Sequence, residues 1–307
     1  MKIVTLTLNP AFDIHCHIDD FKAYHENLAN ITDREAGGKG VNISRALCVN
    51  EILNLALVVL GDENAESFKK SLDSDGMNYR AITVEGRIRE NITIHTDNAP
   101  ETRISFSGFD ADISLLKKTE AVLSEVVEKG SCVTFTGRVP SGLTMTDVKA
   151  FLRSMQNKGV NLVIDSRSFS LDDLIEIKPW LIKPNQEEIS EYLGRKIDSF
   201  EQAVSSAQEL FYNGIENVMI SLGEKGALLV CGEGTFTAIP PQIEIRSTIG
   251  AGDSSIAGFL SAAVNGLPAS ECIRTAVAYG TAACMTSGTK PPRSDDIEEI
   301  LKLVTVK

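Results

Sequence analysis

A short glycine-rich segment with one carboxylate, Gly250-Ala-Gly-Asp253, directly precedes a run of small and apolar residues with helical character, Ser255 to Val264. Glycines let the backbone approach a ligand closely, and the first-turn amides of a helix have no intrahelical partner, so this end attracts anions. Asp253 would stand beside the anion as a candidate base, which suggests phosphoryl transfer. The alternative is an ordinary helix N-terminus at which Asp253 accepts hydrogen bonds from first-turn amides.

A second glycine-rich segment, Gly37-Gly-Lys-Gly-Val-Asn42, precedes the helical pattern Ile43 to Val49. Its backbone could approach a ligand while Lys39 and Asn42 donate hydrogen bonds. The segment is not a Walker A loop, since Gly40 follows the lysine where that motif has Ser or Thr. Taken alone, it could equally be a strand-to-helix turn.

Polar residues also follow three predicted strands, where the carboxyl ends of a parallel sheet form ligand crevices. Asp13 could bind sugar hydroxyls or be a turn residue. Asn185 and Glu188 could organise Mg²⁺ and phosphates, or could cap a helix as a reciprocal pair. The turn from Ser221 to Gly226 is a weaker candidate for nucleotide contact.

Composition limits the class of partner. The chain has 307 residues, 43% of them hydrophobic and 23% charged, with a net charge of -12. This acidity argues against nucleic-acid binding, which requires clustered cations, so any cationic site must be local. The six scattered cysteines have no metal-like spacing and are expected to be reduced, and no apolar run is long enough for a membrane span. A cytoplasmic protein is expected.

Alternating strands and helices predict the architecture. The predicted strands are Ile3 to Leu8, Leu55 to Leu60, Cys132 to Thr136, Leu162 to Ile164, Trp180 to Ile182 and Val218 to Leu222. Amphipathic helical stretches lie between them, which predicts an α/β fold with a mainly parallel sheet covered on both faces. A hairpin is predicted at Ala227 to Ile239, followed by three helices from Ala251, Ala269 and Asp295.

Two regions break this alternation, about 14–33 and 90–108. Residues 91–95 and 102–106 alternate as half-exposed strands joined by a polar turn at 97–100. We expect a small antiparallel sheet that covers a site, forms a dimer surface, or both. With no interdomain linker in evidence, residues 1–307 are predicted to form a single domain with these two regions inserted as a lid.

In combination and order, the motifs resemble the PfkB/ribokinase family of carbohydrate kinases over nearly the whole chain. They are Asn9-Pro-Ala-Phe-Asp13, Gly37-Gly-Lys-Gly-Val-Asn42, Lys183-Pro-Asn-Gln-Glu-Glu188, Ser221-Leu-Gly223 and Ile249-Gly-Ala-Gly-Asp253-Ser. The first two motifs, with Arg89-Glu-Asn91-Ile-Thr, look most like the 1-phosphofructokinase and tagatose-6-phosphate kinase branch. The resemblance implies a ribokinase-like fold and ATP- and Mg²⁺-dependent transfer to a sugar-phosphate hydroxyl, and it leaves a monovalent-cation requirement open.

The resemblance also implies residue roles. Asp253 would take the proton of the attacking hydroxyl, while the amides of Gly250, Ala251 and Gly252 stabilise charge on the transferring group. The residues expected to bind the sugar and the phosphate it already carries are Asp13, Gly38, Lys39, Asn42, Arg89 and Arg138. Those expected at the nucleotide are Lys183, Asn185, Ser221, Gly223 and Gly226. Asn185 and Glu188 would organise Mg²⁺ through water or phosphate.

Two departures from the branch bear on the substrate. Arg138 stands where the branch usually shows the serine of G-S-L-P, so it adds a phosphate contact or narrows the pocket. The stretch Glu26 to Asn30 lacks an arginine that relatives often carry. Phosphorylation of fructose 1-phosphate at its 6-hydroxyl is predicted, and the alternatives are a tagatose-6-phosphate or 6-phosphofructokinase activity or a non-catalytic sugar-phosphate sensor. Because the family's lid often completes a dimer, a homodimer through the lid is expected.

Overall fold

The computed structural model describes residues 1–97 and 100–307, which contain fourteen strands and ten α-helices. The strands are β1 Ile3–Thr7, β2 Ala11–His17, β3 Asn30–Gly37, β4 Leu55–Gly61, β5 Tyr79–Val84, β6 Arg89–His95, β7 Thr102–Ile104, β8 Cys132–Thr136, β9 Asn161–Asp165, β10 Leu181–Ile182, β11 Asn217–Ser221, β12 Ala227–Cys231, β13 Gly234–Ile239 and β14 Thr305–Val306. The helices are α1 Lys39–Val49, α2 Ala65–Ser74, α3 Ile113–Val126, α4 Met145–Asn157, α5 Leu171–Ile177, α6 Gln186–Leu193, α7 Phe200–Tyr212, α8 Ala251–Val264, α9 Ala269–Ala283 and α10 Ser294–Leu303. Within the two described ranges, no helix is both long enough and apolar enough to cross a membrane.

Ten strands form one large sheet in the order β14-β13-β12-β11-β10-β9-β8-β1-β4-β5. The seven strands from β11 to β5 in that order pair in parallel, whereas β12, β13 and β14 extend the sheet antiparallel. The predicted mainly parallel sheet and the hairpin at β12 and β13 are therefore confirmed. The three C-terminal helices also begin at or within one residue of their predicted starts.

The central strands of the large sheet are buried on both faces because helices cover each side. On β1, Val4 and Leu6 pack into the core beneath α3 and α4, while Ile3 packs into the core beneath α8 and α9. The same division separates Leu162 from Val163 on β9. Continuous apolar runs, which predicted buried strands, are thus explained by burial on alternating sides.

Parallel pairing brings the carboxyl ends of several strands to one edge of the large sheet. At this edge lie Asn9 after β1, Gly137 after β8, Asp165 at the end of β9, and Lys183 after β10. These strands are adjacent in the sheet, so polar residues far apart in sequence converge there. A crevice of this kind is where ligands bind in open α/β sheets.

The second sheet has the order β3-β2-β6-β7. The prediction of an antiparallel sheet is wrong at its centre, since β2 and β6 pair in parallel, with Ala11 opposite Arg89. The reason is the connection: between β2 and β6 the chain passes through β3, α1, β4, α2 and β5 rather than through a hairpin. Strands β2 and β3 also reach beyond 14–33, to Ala11 and Gly37. The predicted turn at 97–100 includes positions 98 and 99, which lie outside the described residues.

Candidate active site

Helix α8 begins at Ala251, after Gly250 in the left-handed conformation at φ 79°. Within the described ranges, Gly250 makes no side-chain cap hydrogen bond, unlike the side-chain caps that begin helices α3 to α7. Asp253 lies in the first turn, yet its carboxylate accepts a hydrogen bond from Asn42 Nδ2 at 2.9 Å. The ordinary-cap alternative therefore loses its support, and the positive helix end is left available to an anion.

A second helix N-terminus lies beside it. Helix α1 packs against α8 and also begins after a glycine, Gly38, at φ 119° and without a side-chain cap among the described residues. The helix starts at Lys39, earlier than the predicted Ile43, so that Lys39 and Asn42 both belong to its first turn. The backbone here is close to β1: a Cβ at Gly40 would lie 2.4 Å from Thr7 Oγ1. Two uncapped helix ends thus converge at Asp253.

Asp253 belongs to a buried charged network. Lys39 Nζ donates to Asp165 Oδ2 at 2.8 Å, and Asp165 and Asp253 are both buried. Burial raises the pKa of Asp253 to about 6; Lys39 and the hydrogen bond from Asn42 oppose that rise, whereas Asp165 adds to it. Burial alone would also raise the pKa of Asp165, but Lys183 and Lys39 outweigh it and hold that pKa below its usual value. Asp165 is thereby kept ionised, whereas the pKa of Asp253 is moved towards neutral pH, which suits a proton acceptor.

This tuning predicts a pH dependence. A base works only when ionised, and because the pKa of Asp253 is raised to about 6, the ionised fraction falls as pH drops through that value. We expect kcat/KM to be constant above this limb and to decrease about tenfold per pH unit below it, as for a single essential base. Initial rates across the acidic range, at saturating Mg²⁺-ATP, measure the limb. A profile that stays flat well below pH 6 in folded protein would contradict the assignment.

Lys183 supplies a further cation beside the α8 terminus. It is buried, and a Cβ placed on Gly252 would lie 3.0 Å from its Nζ, so Gly252 leaves the room that the ammonium occupies. In the described part of the chain, Lys183 forms no ion pair within salt-bridge distance, although Asp165 and Asp253 both feel its charge. A cation between two carboxylates and a helix N-terminus is well placed to bind a phosphate.

Asp13, on β2, faces the glycine-rich segment. Asn91 Nδ2 donates to its Oδ1 at 2.9 Å, and a Cβ on Gly37 would lie 2.0 Å from its Oδ2. Burial raises the pKa of Asp13, against the opposing effects of Asn91 and Arg89. A cavity of about 120 Å³ opens beside it, lined by Asp13, His15, Asn91, Ile92, Thr93, Arg103, Ser105, Ile249 and Thr289. Ile249 immediately precedes Gly250, so this cavity adjoins the α8 terminus.

Arg89 and Arg138 are close enough for the charge of one to act on the other, and Arg89 also feels the charge of Asp13. Arg89 donates to the carbonyls of Asn9 and Phe106, while its Nε is buried without a partner among the described residues. Burial lowers the pKa of Arg89, Asp13 raises it, and the nearby guanidinium of Arg138 lowers it further. Neither arginine forms a salt bridge with a carboxylate in the described ranges. An oxyanion would satisfy the orphaned donor and relieve the repulsion between the two cations.

Asn185 and Glu188 form the predicted reciprocal helix cap of α6. The backbone N–H of Asn185 donates to Glu188 Oε2 at 3.0 Å, and Arg167 Nε donates to Glu188 Oε1 at 3.0 Å. Ser221, at the end of β11, pairs with Asn185 in an isolated parallel β-bridge just beyond the end of β10. Because each Glu188 oxygen already accepts a hydrogen bond, water-mediated rather than direct contact suits this carboxylate. Carboxylate oxygens are the donors Mg²⁺ prefers, and Mg²⁺ usually keeps several waters, so the group fits the ion.

The two glycines of the following turn differ. Gly223 begins a short 3₁₀ turn, at φ 61°, with no atom near the position of a Cβ. Gly226, at φ 90°, is buried, and a Cβ there would lie 1.9 Å from the Ala238 carbonyl oxygen. Gly226 therefore has a structural reason to be glycine, apart from any role at a nucleotide.

Sequence reasoning missed two charged residues of the site, the buried Asp165 and the more exposed Arg167, which contacts Glu188. Asp165 directly follows the predicted strand Leu162 to Ile164, and Arg167 lies two residues further on, so their position at the carboxyl end of a parallel strand was an available signal. Nothing local indicated that Asp165 pairs with Lys39, since 126 residues separate the partners.

Comparison with known proteins agrees with this geometry. The model of the pfkB family carbohydrate kinases matches residues 7–296. The chain belongs to the pfkB family of carbohydrate kinases. It is therefore a kinase that transfers a phosphoryl group to an alcohol, and kinases of this family use ATP.

Individual relatives and solved structures also match most of this chain. It is 31% identical to the 1-phosphofructokinase of Bacillus subtilis, over 92% of this chain and 93% of that one, and 33% identical to that of Borreliella burgdorferi, over 92% of each. The crystal structure of phosphofructokinase-2 from Escherichia coli in complex with substrates and products has a TM-score of 0.93 and 25% identity, covering 99% of both chains.

Proposed function

We propose that this pfkB kinase transfers the γ-phosphoryl group of ATP to the 6-hydroxyl of fructose 1-phosphate. The observation that carries the proposal is the buried Asp253, held by Asn42 in the uncapped first turn of α8 beside Lys39. The curated relatives named 1-phosphofructokinase support the choice of sugar.

Each residue of the network has a task in this reaction. Asp253 accepts the proton of the attacking hydroxyl, while Asn42 fixes the direction of its carboxylate. The amides of Gly250, Ala251 and Gly252 stabilise negative charge on the transferring group. Lys39 and Lys183 are both close enough to Asp253 and Asp165 to lower the pKa of these carboxyl groups. In the reaction, the two cations neutralise phosphate charge beside Asp253.

Mg²⁺ with ATP would be held by Glu188 and Asn185 through water, with Ser221 and Gly223 beside the nucleotide. When bound, the ion neutralises phosphate charge and orients the phosphates. A monovalent-cation requirement is an additional proposal, supported by a neighbour of 26% identity and TM-score 0.93 that was solved in complex with potassium.

The phosphate that the sugar already carries is proposed to bind Arg89 and Arg138. Asp13 and Asn42 would then hold the hydroxyls between this phosphate and Asp253. The arginines lack carboxylate partners among the described residues, and Arg89 Nε is buried and unpaired, so a dianion fits the chemistry of this donor set.

We further propose that the second sheet is a lid over this site and that two copies of the chain associate through it. Large apolar side chains are exposed on and beside this sheet: Phe21, Tyr24, Leu28, Ile31, Ile104 and Phe106. Large exposed apolar patches mark protein interaction sites, and these six side chains supply the apolar surface that an association through the second sheet would bury. Residues 1–307 would then form one kinase domain with its lid.

A coupled assay of ADP release tests the central proposal. With Mg²⁺-ATP present, phosphorylated hexoses should support turnover that free hexoses do not, because only the former supply a dianion for Arg89 and Arg138. Binding of sugar phosphates without any turnover would overturn the kinase assignment in favour of a sensor.

A further inference from the structure

Arg45 is a buried guanidinium without an assigned role. It lies on α1, one turn beyond Asn42, and is 5% exposed. Its Nε donates to Asp75 Oδ2 at 2.8 Å, its Nη2 to the Ala36 carbonyl at 2.6 Å and its Nη1 to Asn42 Oδ1 at 3.4 Å. A lysine offers its three donors from a single nitrogen, whereas the guanidinium reaches these three acceptors from three separate nitrogens, so a lysine would not reproduce the set.

The contact to Asn42 determines which way its amide faces. A side-chain amide has an acceptor and a donor end, and a guanidinium can only donate, so Oδ1 faces Arg45. Nδ2 is then directed at Asp253 Oδ2, at 2.9 Å. Reversing the amide would place its NH₂ group against the guanidinium and its oxygen against the carboxylate.

The contact to Ala36 fixes a second feature. Ala36 lies in β3, directly before Gly37 and Gly38, through which the backbone enters α1. The same side chain therefore ties the entry of the glycine-rich segment to the helix that carries Lys39 and Asn42. Asp75, which is 31% exposed in its side chain, compensates the buried charge from outside the site.

We propose that Arg45 is a positioning residue for phosphoryl transfer: it orients the Asn42 amide towards Asp253 and anchors the glycine-rich segment, without touching either substrate. This inference rests on the proposed function, since it takes Asp253 as the base. The Arg45 guanidinium does its work by directing hydrogen bonds, and its charge alone is insufficient.

Arg45→Lys and Arg45→Met separate the effect of the directed hydrogen bonds of Arg45 from the effect of its positive charge. Lysine can keep the ion pair with Asp75 and much of the stability, but it cannot also hold Ala36 and Asn42. We expect kcat to fall by about 10-fold or more in both variants, as is typical when a reacting group is misplaced from a distance. The acid limb of kcat/KM should move to higher pH in both, because the Asn42 hydrogen bond that lowers the pKa of Asp253 is weakened.

Arg274→Lys is a matched control. Arg274 also donates to a carbonyl, that of Val304, and pairs with Glu271, but it lies on α9 away from Asn42. This variant should change thermal stability without moving the acid limb. If the Arg45 variants do not fold, Asp75→Asn provides a milder change at a partly exposed position. It should move the acid limb of kcat/KM to higher pH, by less than the Arg45 variants do. An unmoved limb in folded Arg45→Lys, with kcat unchanged, would overturn the proposal.

A titration of Asp253 in the absence of substrate distinguishes failure of the Arg45 proposal from failure of the proposed function. Carbon-13 NMR of the Asp253 carboxyl in ligand-free protein reports its pKa whatever the reaction is. A raised pKa in Arg45→Lys relative to wild type supports the positioning role even if no hexose phosphate is turned over. An unchanged pKa in an active enzyme would contradict Arg45 alone and leave the kinase assignment intact.

Discussion

Replacing Asp253 with asparagine is expected to lower kcat by about 10³-fold, within the range attributed to loss of a general acid or base. Asparagine is nearly isosteric but cannot accept the proton of the attacking hydroxyl. The binding of sugar phosphate should be largely retained, because Asp13, Arg89 and Arg138 are untouched. Single-turnover kinetics and calorimetric titration with the sugar phosphate, each with Mg²⁺ present, measure the two quantities separately.

Asp173→Asn provides the control for this experiment. Asp173 also lies in the first turn of a helix, α5, where it completes a capping box with Ser170 and pairs with Lys149. Its loss should reduce stability and leave kcat unchanged. If kcat of Asp253→Asn barely changes in folded protein, Asp253 is a structural residue and the base must be sought elsewhere.

Replacing Arg89 with methionine is expected to have the second largest effect. Hydrogen bonds to charged groups contribute about 1.5–3 kcal/mol, which corresponds to roughly 10- to 100-fold in affinity. The phosphate bound by Arg89 does not react, so the loss should appear mainly in KM for the sugar phosphate, with KM for ATP unchanged. Steady-state kinetics with each substrate varied in turn measure this division.

Arg87→Met is the matched control. Arg87 is exposed, precedes Arg89 by two residues and pairs only with Glu90 among the described residues. We expect near-wild-type kinetics from it. A loss in Arg89→Met that is equally large for unphosphorylated fructose, or that falls on ATP, would show that Arg89 does not read the sugar's phosphate.

Eight of the ten strands of the large sheet were predicted because each is encoded locally, whereas the edge strands β5 and β14 were not. Apolar runs such as Cys132 to Thr136 and the start of α8 at Ala251 depend on neighbouring residues alone. The start of α1 was misplaced because Gly38 and Gly40 weaken a helical pattern, whereas the close approach to Thr7 requires glycine there. The parallel pairing of β2 with β6 depends on a long crossover, which periodicity does not report.

The candidate site shows the same division. The spacing of glycines and polar residues identified Gly250 to Asp253 and Gly37 to Asn42. It could do so because a backbone that approaches an anion closely needs glycines at neighbouring positions in the sequence. The contacts that tune the site are not local: Asn42 and Asp253 are 211 positions apart, and Lys39 and Asp165 are 126 apart. The raised pKa of Asp253 and the ion pair that holds Arg45 to Asp75 therefore emerge only once the chain has folded.

The proposed reaction and its substrate are tested together by measuring kcat/KM for fructose 1-phosphate, fructose 6-phosphate and tagatose 6-phosphate under one set of Mg²⁺-ATP conditions. We expect turnover that depends on Asp253 and a clear preference for fructose 1-phosphate. A higher kcat/KM for either 6-phosphate would contradict the proposed substrate, and the absence of ADP release with all three would contradict the proposed reaction.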